Sequence, residues 1–193
     1  MTASSPTRIR HLADRYLLRR AASAPPWRNI AKTLAQVAIF WGVLLWLLPL
    51  LIVRLVSAYE LDGLQFAAWP GTGWALLGLA SAGGFWSGLT MARHGDGTPL
   101  PLDHANRLVV RGPYAFIRNP MAFTGLTQGA AVALILGSTA VLVYVVAGGS
   151  FWNWVVRPFE ERDLVRRFGE PYERYRHAVR CWVPRITPYR GVV

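Results

Sequence analysis

"NPMAFTGLTQGAAVALILGSTAVLVYVVAGGSFWNWVV", residues 119–156, runs for 38 positions without one charged side chain. At about 1.5 Å of rise per residue, one helix of that length would overshoot a hydrocarbon core of about 30 Å. Gly137-Ser138 divides the stretch near its middle, and such a pair is a natural place for the chain to turn. The stretch therefore reads as a hairpin of two apolar helices, residues 121–136 and 139–156. Both halves are short for a full crossing, which calls for slight local thinning of the bilayer or a deep turn.

Working outward, two more stretches lack charge: residues 33–53, 21 positions, and residues 69–92, 24 positions. Either is long enough to cross a membrane as a helix. The expected fold is thus an all-α membrane protein of about four transmembrane helices. Small residues crowd the second span, "GTGWALLGLASAGGFWSG", and permit close helix approach. Gly71-Thr72-Gly73 is read as packing glycine and not as a nucleotide loop, because no strand precedes it and the third glycine falls at the wrong spacing.

Composition agrees. Of 193 residues, 53% are hydrophobic and only 16% charged, which is the balance of a single integral membrane domain. A lone cysteine, Cys181, rules out an intrachain disulfide or a thiolate zinc site and reads as a small apolar filler. The formal charge of +11 would suggest nucleic acid in a soluble domain, so its placement decides. Seven basic residues precede the first span through Lys32, Arg54 stands alone, four lie from Arg93 to Arg118, and nine from Arg157 to Arg190.

Four spans put all of these but Arg54 on one face. The positive-inside rule then places both termini in the cytoplasm, and nucleic-acid binding becomes the weaker explanation of the charge. More than 30 residues precede the first apolar stretch, too many for the n-region of a signal peptide. Twenty Arg against one Lys points to a GC-rich bacterial genome.

The chain divides into a cytoplasmic basic tail (1–32), two spans (33–96), and a loop, hairpin and C-terminal helices (97–185). Within the tail, Ile9, Leu12, Ala13 and Tyr16 share one helical arc over residues 7–20, so this segment is expected to lie on the membrane surface. "SAPPW", residues 23–27, ends it. After the hairpin, Arg157 and Pro158 open a cytoplasmic helix that stops near Phe168, and Pro171 starts another. Val165, Phe168, Tyr172 and Tyr175 recur along the pair at helical spacing.

Two groups of residues carry candidate chemistry. In "GPYAFIRNP", residues 112–120, Pro113 and Pro120 fix φ and bias Gly112 and Asn119 toward extended backbone, so the loop is held at the headgroup level. Just upstream, Asn106 to Val109 sets Leu108 and Val109 beside polar neighbours, a slot suited to a flat heteroaromatic ring. The alternative is that Tyr114 and Phe116 are belt aromatics and Arg118 a stop-transfer charge.

The second group is Arg157, Glu160 and Glu161 at the end of the last span. Paired carboxylates at a membrane boundary need partners, and Arg157 can reach either one across a helical turn. A purely interfacial salt bridge is the competing reading. His94, Asp96, Asp103 and His104 lie in a Gly/Pro-rich stretch without i,i+4 spacing, so no metal site is expected.

"NRLVVRGPYAFIRNP", the apolar hairpin and "EERDLVRRFGEPYERYRHAVRCWVPR" together resemble the isoprenylcysteine carboxyl methyltransferase and phospholipid methyltransferase family over about residues 97–185. The resemblance implies methyl transfer from S-adenosylmethionine, held between the loop and the C-terminal helices. Cofactor contacts would fall to Asn106, Arg107, Leu108, Val109, Tyr114, Asn119, Pro120, Met121, Ala122 and Glu160. Arg157, near where the family places a substrate-facing arginine, and Glu161 are the candidate catalytic residues. Position 119 is Asn where many relatives have His, and Ala122 stands where relatives often have Tyr, with Phe123 one place later.

Such a reaction needs no metal; it needs a nucleophile in line with the S–CH3 bond, so positioning carries most of the rate. The acceptor is expected to be lipophilic or lipid-like, an isoprenylcysteine carboxylate, a lipid amine or a thiol, entering from the membrane lipids. Two other classes fit the composition: a four-span scaffold or transporter, and a membrane reductase using NADPH. The scaffold or transporter gives no reason for the loop and the acid pair to occur together, and the reductase shares this general architecture.

Overall fold

Hydrocarbon as solvent forces the backbone into helices, and helices are what the chain forms. The computed structural model describes residues 39–61, 64–95 and 106–191. The surface helix expected over 7–20, the start of the first span, and Asp96, Asp103 and His104 lie outside the described residues. Among the described residues five α-helices follow one another: α1 (Ile39–Ala58), α2 (Pro70–His94), α3 (Pro120–Leu136), α4 (Thr139–Phe168) and α5 (Glu170–Ala178). Among the described residues the one extended pairing is a single bridge between Gln65 and Ser138.

Three of the helices, α1, α2 and α4, are long and apolar enough to cross a membrane. Their outer faces show large apolar side chains, with Leu79, Phe85 and Trp154 each 74% exposed. In water that would be an aggregation surface; in a bilayer it is the lipid-facing side. The shorter α3, 17 residues, spans about 26 Å. It is also the most enclosed, with Ala131, Val132 and Ala133 buried almost completely. It packs most extensively on α2, and also on α4 and α1.

Glycines set how closely α3 is approached. A Cβ on Gly73 of α2 would stand 2.5 Å from Ile135 Cγ1 and 2.9 Å from the Ala131 carbonyl oxygen, while Gly129 of α3 faces Val145 and Gly149 of α4 faces Leu126. Gly83 and Gly84 of the second span likewise face Thr124 of α3, so these glycines and Gly73 are packing surface, whereas Gly71, Gly78 and Gly88 face open space. Between α2 and α3, Gln128 Nε2 donates to Ser81 Oγ at 2.9 Å, which satisfies a polar group in apolar surroundings. Gly73→Ala is expected to destabilise the detergent-solubilised protein by about 1–3 kcal/mol, since part of the obstruction is backbone. An unchanged melting temperature would contradict this packing.

Two helices carry a proline inside them, and both solve the problem alike. A proline removes one N–H and crowds the carbonyl four residues back. In α1 a π turn, Val43–Leu47, precedes Pro49, and the Leu48 N–H reaches the Val43 carbonyl. In α4 a π turn, Trp152–Val156, precedes Pro158, and the Arg157 N–H reaches the Trp152 carbonyl. The extra residue in each turn makes room for the ring. Tyr144 of α4 then donates its hydroxyl to the Leu44 carbonyl at 3.2 Å, supplying a partner beside Pro49.

This device changes one expectation. Arg157 and Pro158 do not open a separate helix; α4 runs unbroken for 30 residues, because the π turn absorbs the proline. Its apolar part ends at Val156, and its charged part, Arg157–Phe168, projects beyond. Gly169, at φ +56°, then breaks the chain before α5, as expected. Tyr172, Tyr175, Val110 and Val179 form a buried cluster on which Val165 and Phe168 pack, so the four periodic residues do share one core.

The helices define two ends. At one, the Phe66 N–H donates to the Gly137 carbonyl and the Trp69 N–H to that of Leu134, tying the α1–α2 connection to the α3–α4 turn. At the other lie the end of α2, residues 106–119, the charged part of α4, α5 and the C-terminal segment. The loop and the acid pair are at this same end.

Candidate functional site

The loop is built from its backbone upward. The Asn106 and Arg107 N–H groups both donate to the Gly95 carbonyl, at 2.7 and 3.1 Å, fastening the strand-like start to the end of α2. Val109 and Val110 are buried, and Leu108 packs on the tyrosine cluster. Gly112, at φ +56°, lies so close to α2 that a Cβ would stand 2.8 Å from Thr90 Oγ1. Only glycine combines that conformation with that approach.

Pro113 then starts a single 3-10 turn, Gly112–Ala115, whose Tyr114 and Ala115 are buried. Asn119 ends the loop as the N-cap of α3: its Oδ1 accepts from the Ala122 N–H at 3.0 Å, and Pro120 takes the first helical position. Asn119 is thus used structurally, as a helix cap. Met121 and Ala122 form the partly buried first turn.

The C-terminal segment laces this loop shut. The Arg118 N–H donates to the Arg180 carbonyl at 3.0 Å, and the Arg185 and Tyr189 N–H groups donate to the carbonyls of Phe116 and Ala115, each at 2.9 Å. Trp182 Nε1 donates to Asn153 Oδ1 at 2.8 Å, and its ring packs edge-on against Trp152, so the segment also grips α4 at its π turn. From α5, the Tyr175 hydroxyl donates to the Tyr114 carbonyl at 2.7 Å.

Arg118 joins loop to acid pair. Its Nη2 stands 2.9 Å from Glu161 Oε1, with side-chain exposures of 13% and 18%, and its Nη1 donates to the Arg176 carbonyl at 3.2 Å. Arg157 Nε approaches the same Glu161 oxygen at 3.7 Å. Neither contact to Oε1 is an aligned hydrogen bond, so the attraction is Coulombic. Burial raises the pKa of the Cys181 thiol, and the Arg118 and Arg157 guanidiniums lower it.

Glu161 is therefore engaged, and Glu160 is not. Among the described residues the Glu160 carboxyl has no ion pair or hydrogen bond. Burial, and then the neighbouring Glu161 charge, push its pKa up to about 7. The Tyr114 hydroxyl is buried without a partner among the described residues, and burial pushes its pKa upward, so it stays an O–H donor. Beside Glu161 a groove of about 430 Å³ opens between α4 and α5, walled also by Pro158, Arg162, Val165, Glu173 and Arg176.

Arg118 thus brings the loop to Arg157 and Glu161, and Tyr175 holds the loop at the Tyr114 carbonyl; among the described residues no hydrogen bond joins the Tyr114 hydroxyl to either glutamate. Leu108 and Asn119 have side chains committed to the core and to the helix cap. Sequence reasoning missed Arg118 as the junction, because a lone arginine inside a proline-braced loop does not reveal which distant acid it meets. It also missed Asp163, buried and paired with Arg166 at 2.8 Å and Arg167 at 3.5 Å. His94 Nδ1 lies 3.1 Å from the Thr90 carbonyl, and no cluster of metal-ligating side chains occurs among the described residues.

A family model for phospholipid methyltransferases matches residues 72–171, just over half of the chain and the part that holds the loop, the hairpin and both glutamates. The chain belongs to the phospholipid methyltransferase family. Comparison with curated proteins and with solved structures gives no match. Membership of this family agrees with the resemblance carried by "GPYAFIRNP" and the double Glu. The three apolar helices fit a membrane methyltransferase. Residues 172–191, which lace the loop, lie beyond the matched region.

Proposed function

We propose that this phospholipid methyltransferase family member uses S-adenosylmethionine to methylate a lipophilic or lipid-like acceptor at the end of the bundle where loop, α4 and α5 meet. The observation that carries the reading is the Arg118–Glu161 contact, which brings the loop to the acid pair while leaving Glu160 without a partner. A carboxylate and a buried phenol, both lacking partners among the described residues, fit a ligand rich in amine and hydroxyl groups.

S-adenosylmethionine, when bound, supplies a methyl group on an electrophilic sulfonium. Glu160 accepts charge-assisted hydrogen bonds from the amino group or ribose hydroxyls. Tyr114 donates from its hydroxyl or offers its ring face to positive charge. Arg157 orients an anionic group of the acceptor, and Glu161 holds Arg118 and Arg157 in place. The Asn106–Val109 backbone and the start of α3 wall the site, and exclusion of water favours a step in which charge disperses.

In this reading α3 is the fourth crossing, in locally thinned bilayer, and the site faces the cytoplasm of a bacterial cell with both termini on that side. The acceptor enters laterally from the lipid. Incubating the purified protein with methyl-labelled S-adenosylmethionine and a membrane lipid extract is expected to yield labelled product by mass spectrometry. Binding of NADPH instead, or of neither, would overturn the assignment in favour of a reductase or a scaffold.

A further inference from the structure

Two adjacent carboxylates at a membrane boundary share one electrostatic environment, yet they are treated differently here. Glu161 meets Arg118 at 2.9 Å and Arg157 at 3.7 Å, whereas Glu160 meets neither. Arg157 sits one turn away on the same helix and would approach Glu161 whatever the loop did. Arg118 comes from the loop, and three contacts fix its place. Its amide is held by the Arg180 carbonyl, one guanidinium nitrogen by the Arg176 carbonyl, and the other stands at Glu161.

We propose that Arg118 is a positioning residue for methyl transfer: by pairing with Glu161 it screens that charge from Glu160 and leaves Glu160 as the one carboxylate free to take a ligand. This rests on the role given to Glu160 above. Among the described residues the charged and titratable groups around the pair are Arg157, Glu161 and Arg162 on α4, Arg118 on the loop, Tyr172, Glu173 and Arg176 on α5, and Cys181 beyond it. Arg118 meets both Glu161 and the Arg176 carbonyl, and Glu161 and Arg176 wall the same groove, so these groups share one small volume. Of these groups, Glu161 is the one that raises the pKa of Glu160, and burial does so more strongly. Removing Arg118 would strengthen the Glu161 contribution, because Arg157 alone, at the longer distance, would remain to offset it.

The test reads Glu160 directly and needs no cofactor. Its carboxyl stretch is followed by infrared difference spectroscopy against Glu160→Gln protein, titrated in nanodiscs. The wild-type midpoint is expected near 7, and that of Arg118→Gln about one pH unit higher. Arg118→Lys, which keeps the charge, is expected to restore most of the shift. Glu161→Gln, and the double variant lacking both partners, should both fall below the wild-type value. A merely structural arginine would leave the double variant no better than the single one.

An unchanged midpoint in Arg118→Gln would overturn the proposal. If that variant does not fold, failure of Glu161→Gln to lower the midpoint would overturn it equally. Calorimetry with S-adenosylmethionine on the same proteins separates the two ideas. Shifted midpoints without cofactor binding would uphold the coupling and sink the functional reading, whereas binding with unmoved midpoints would do the reverse.

Discussion

Replacing Glu160 by alanine is expected to lower S-adenosylmethionine affinity at pH 8 by about tenfold to a hundredfold, the range for losing hydrogen bonds to a charged group. The carboxyl is partly buried and has no partner among the described residues, so its desolvation is unrecovered until a donor arrives. Because its pKa is raised to about 7, wild-type affinity should fall as pH drops through that value, while Glu160→Gln should be flat from pH 6 to 8.

Stability follows the opposite course. The folded protein keeps a proton that the unfolded chain gives up between the ordinary value of 4.5 and about 7. The corresponding stability is present in full below 4.5 and is lost as pH rises through about 7. Cofactor-free Glu160→Gln protein should therefore be the more stable of the two at pH 8, although it binds less well. Calorimetry and thermal melts in detergent check both halves, and an affinity equal to wild type would remove Glu160 from the site.

Ending the chain after Val179 should have a comparable effect by another route. The segment beyond Val179 supplies partners for the Arg118 amide and the Phe116 and Ala115 carbonyls, and Trp182 fixes it to Asn153. Each lost hydrogen bond costs about 0.5–1.5 kcal/mol net, and buried groups left unpaired cost more. The four apolar helices do not depend on these bonds, so circular dichroism should change little. Cofactor affinity should fall at least about tenfold, because the loop is freed to sample other shapes and must be ordered again on binding. Full affinity in the truncated protein would mean that the proline-braced loop holds its shape unaided.

Much of the architecture was legible because bilayer physics writes itself into composition. The charge-free stretch with Gly137-Ser138 at its centre gives the first helix of the hairpin and the start of the second within a residue, and Gly169 with Pro171 gives the break before α5. The continuity of α4 was not legible. Pro158 argues for an end, and only the π turn before it, which has no sequence signature of its own, overrides that. Arg118 and Asp163 were hidden for a different reason. Their partners lie across the fold or are chosen among several nearby arginines, and hydrophobic periodicity says nothing about which charges meet. Position 119 was legible as polar but not as a cap, since an N-cap is defined only once the helix start is known.

The most direct measurement is hydrogen exchange on the protein in nanodiscs, with and without S-adenosylmethionine. Slowed exchange is expected together in residues 106–122 and 157–168, the loop and the acid-bearing end of α4. Protection in only one of the two, or in neither, would contradict a single cofactor site formed where they meet.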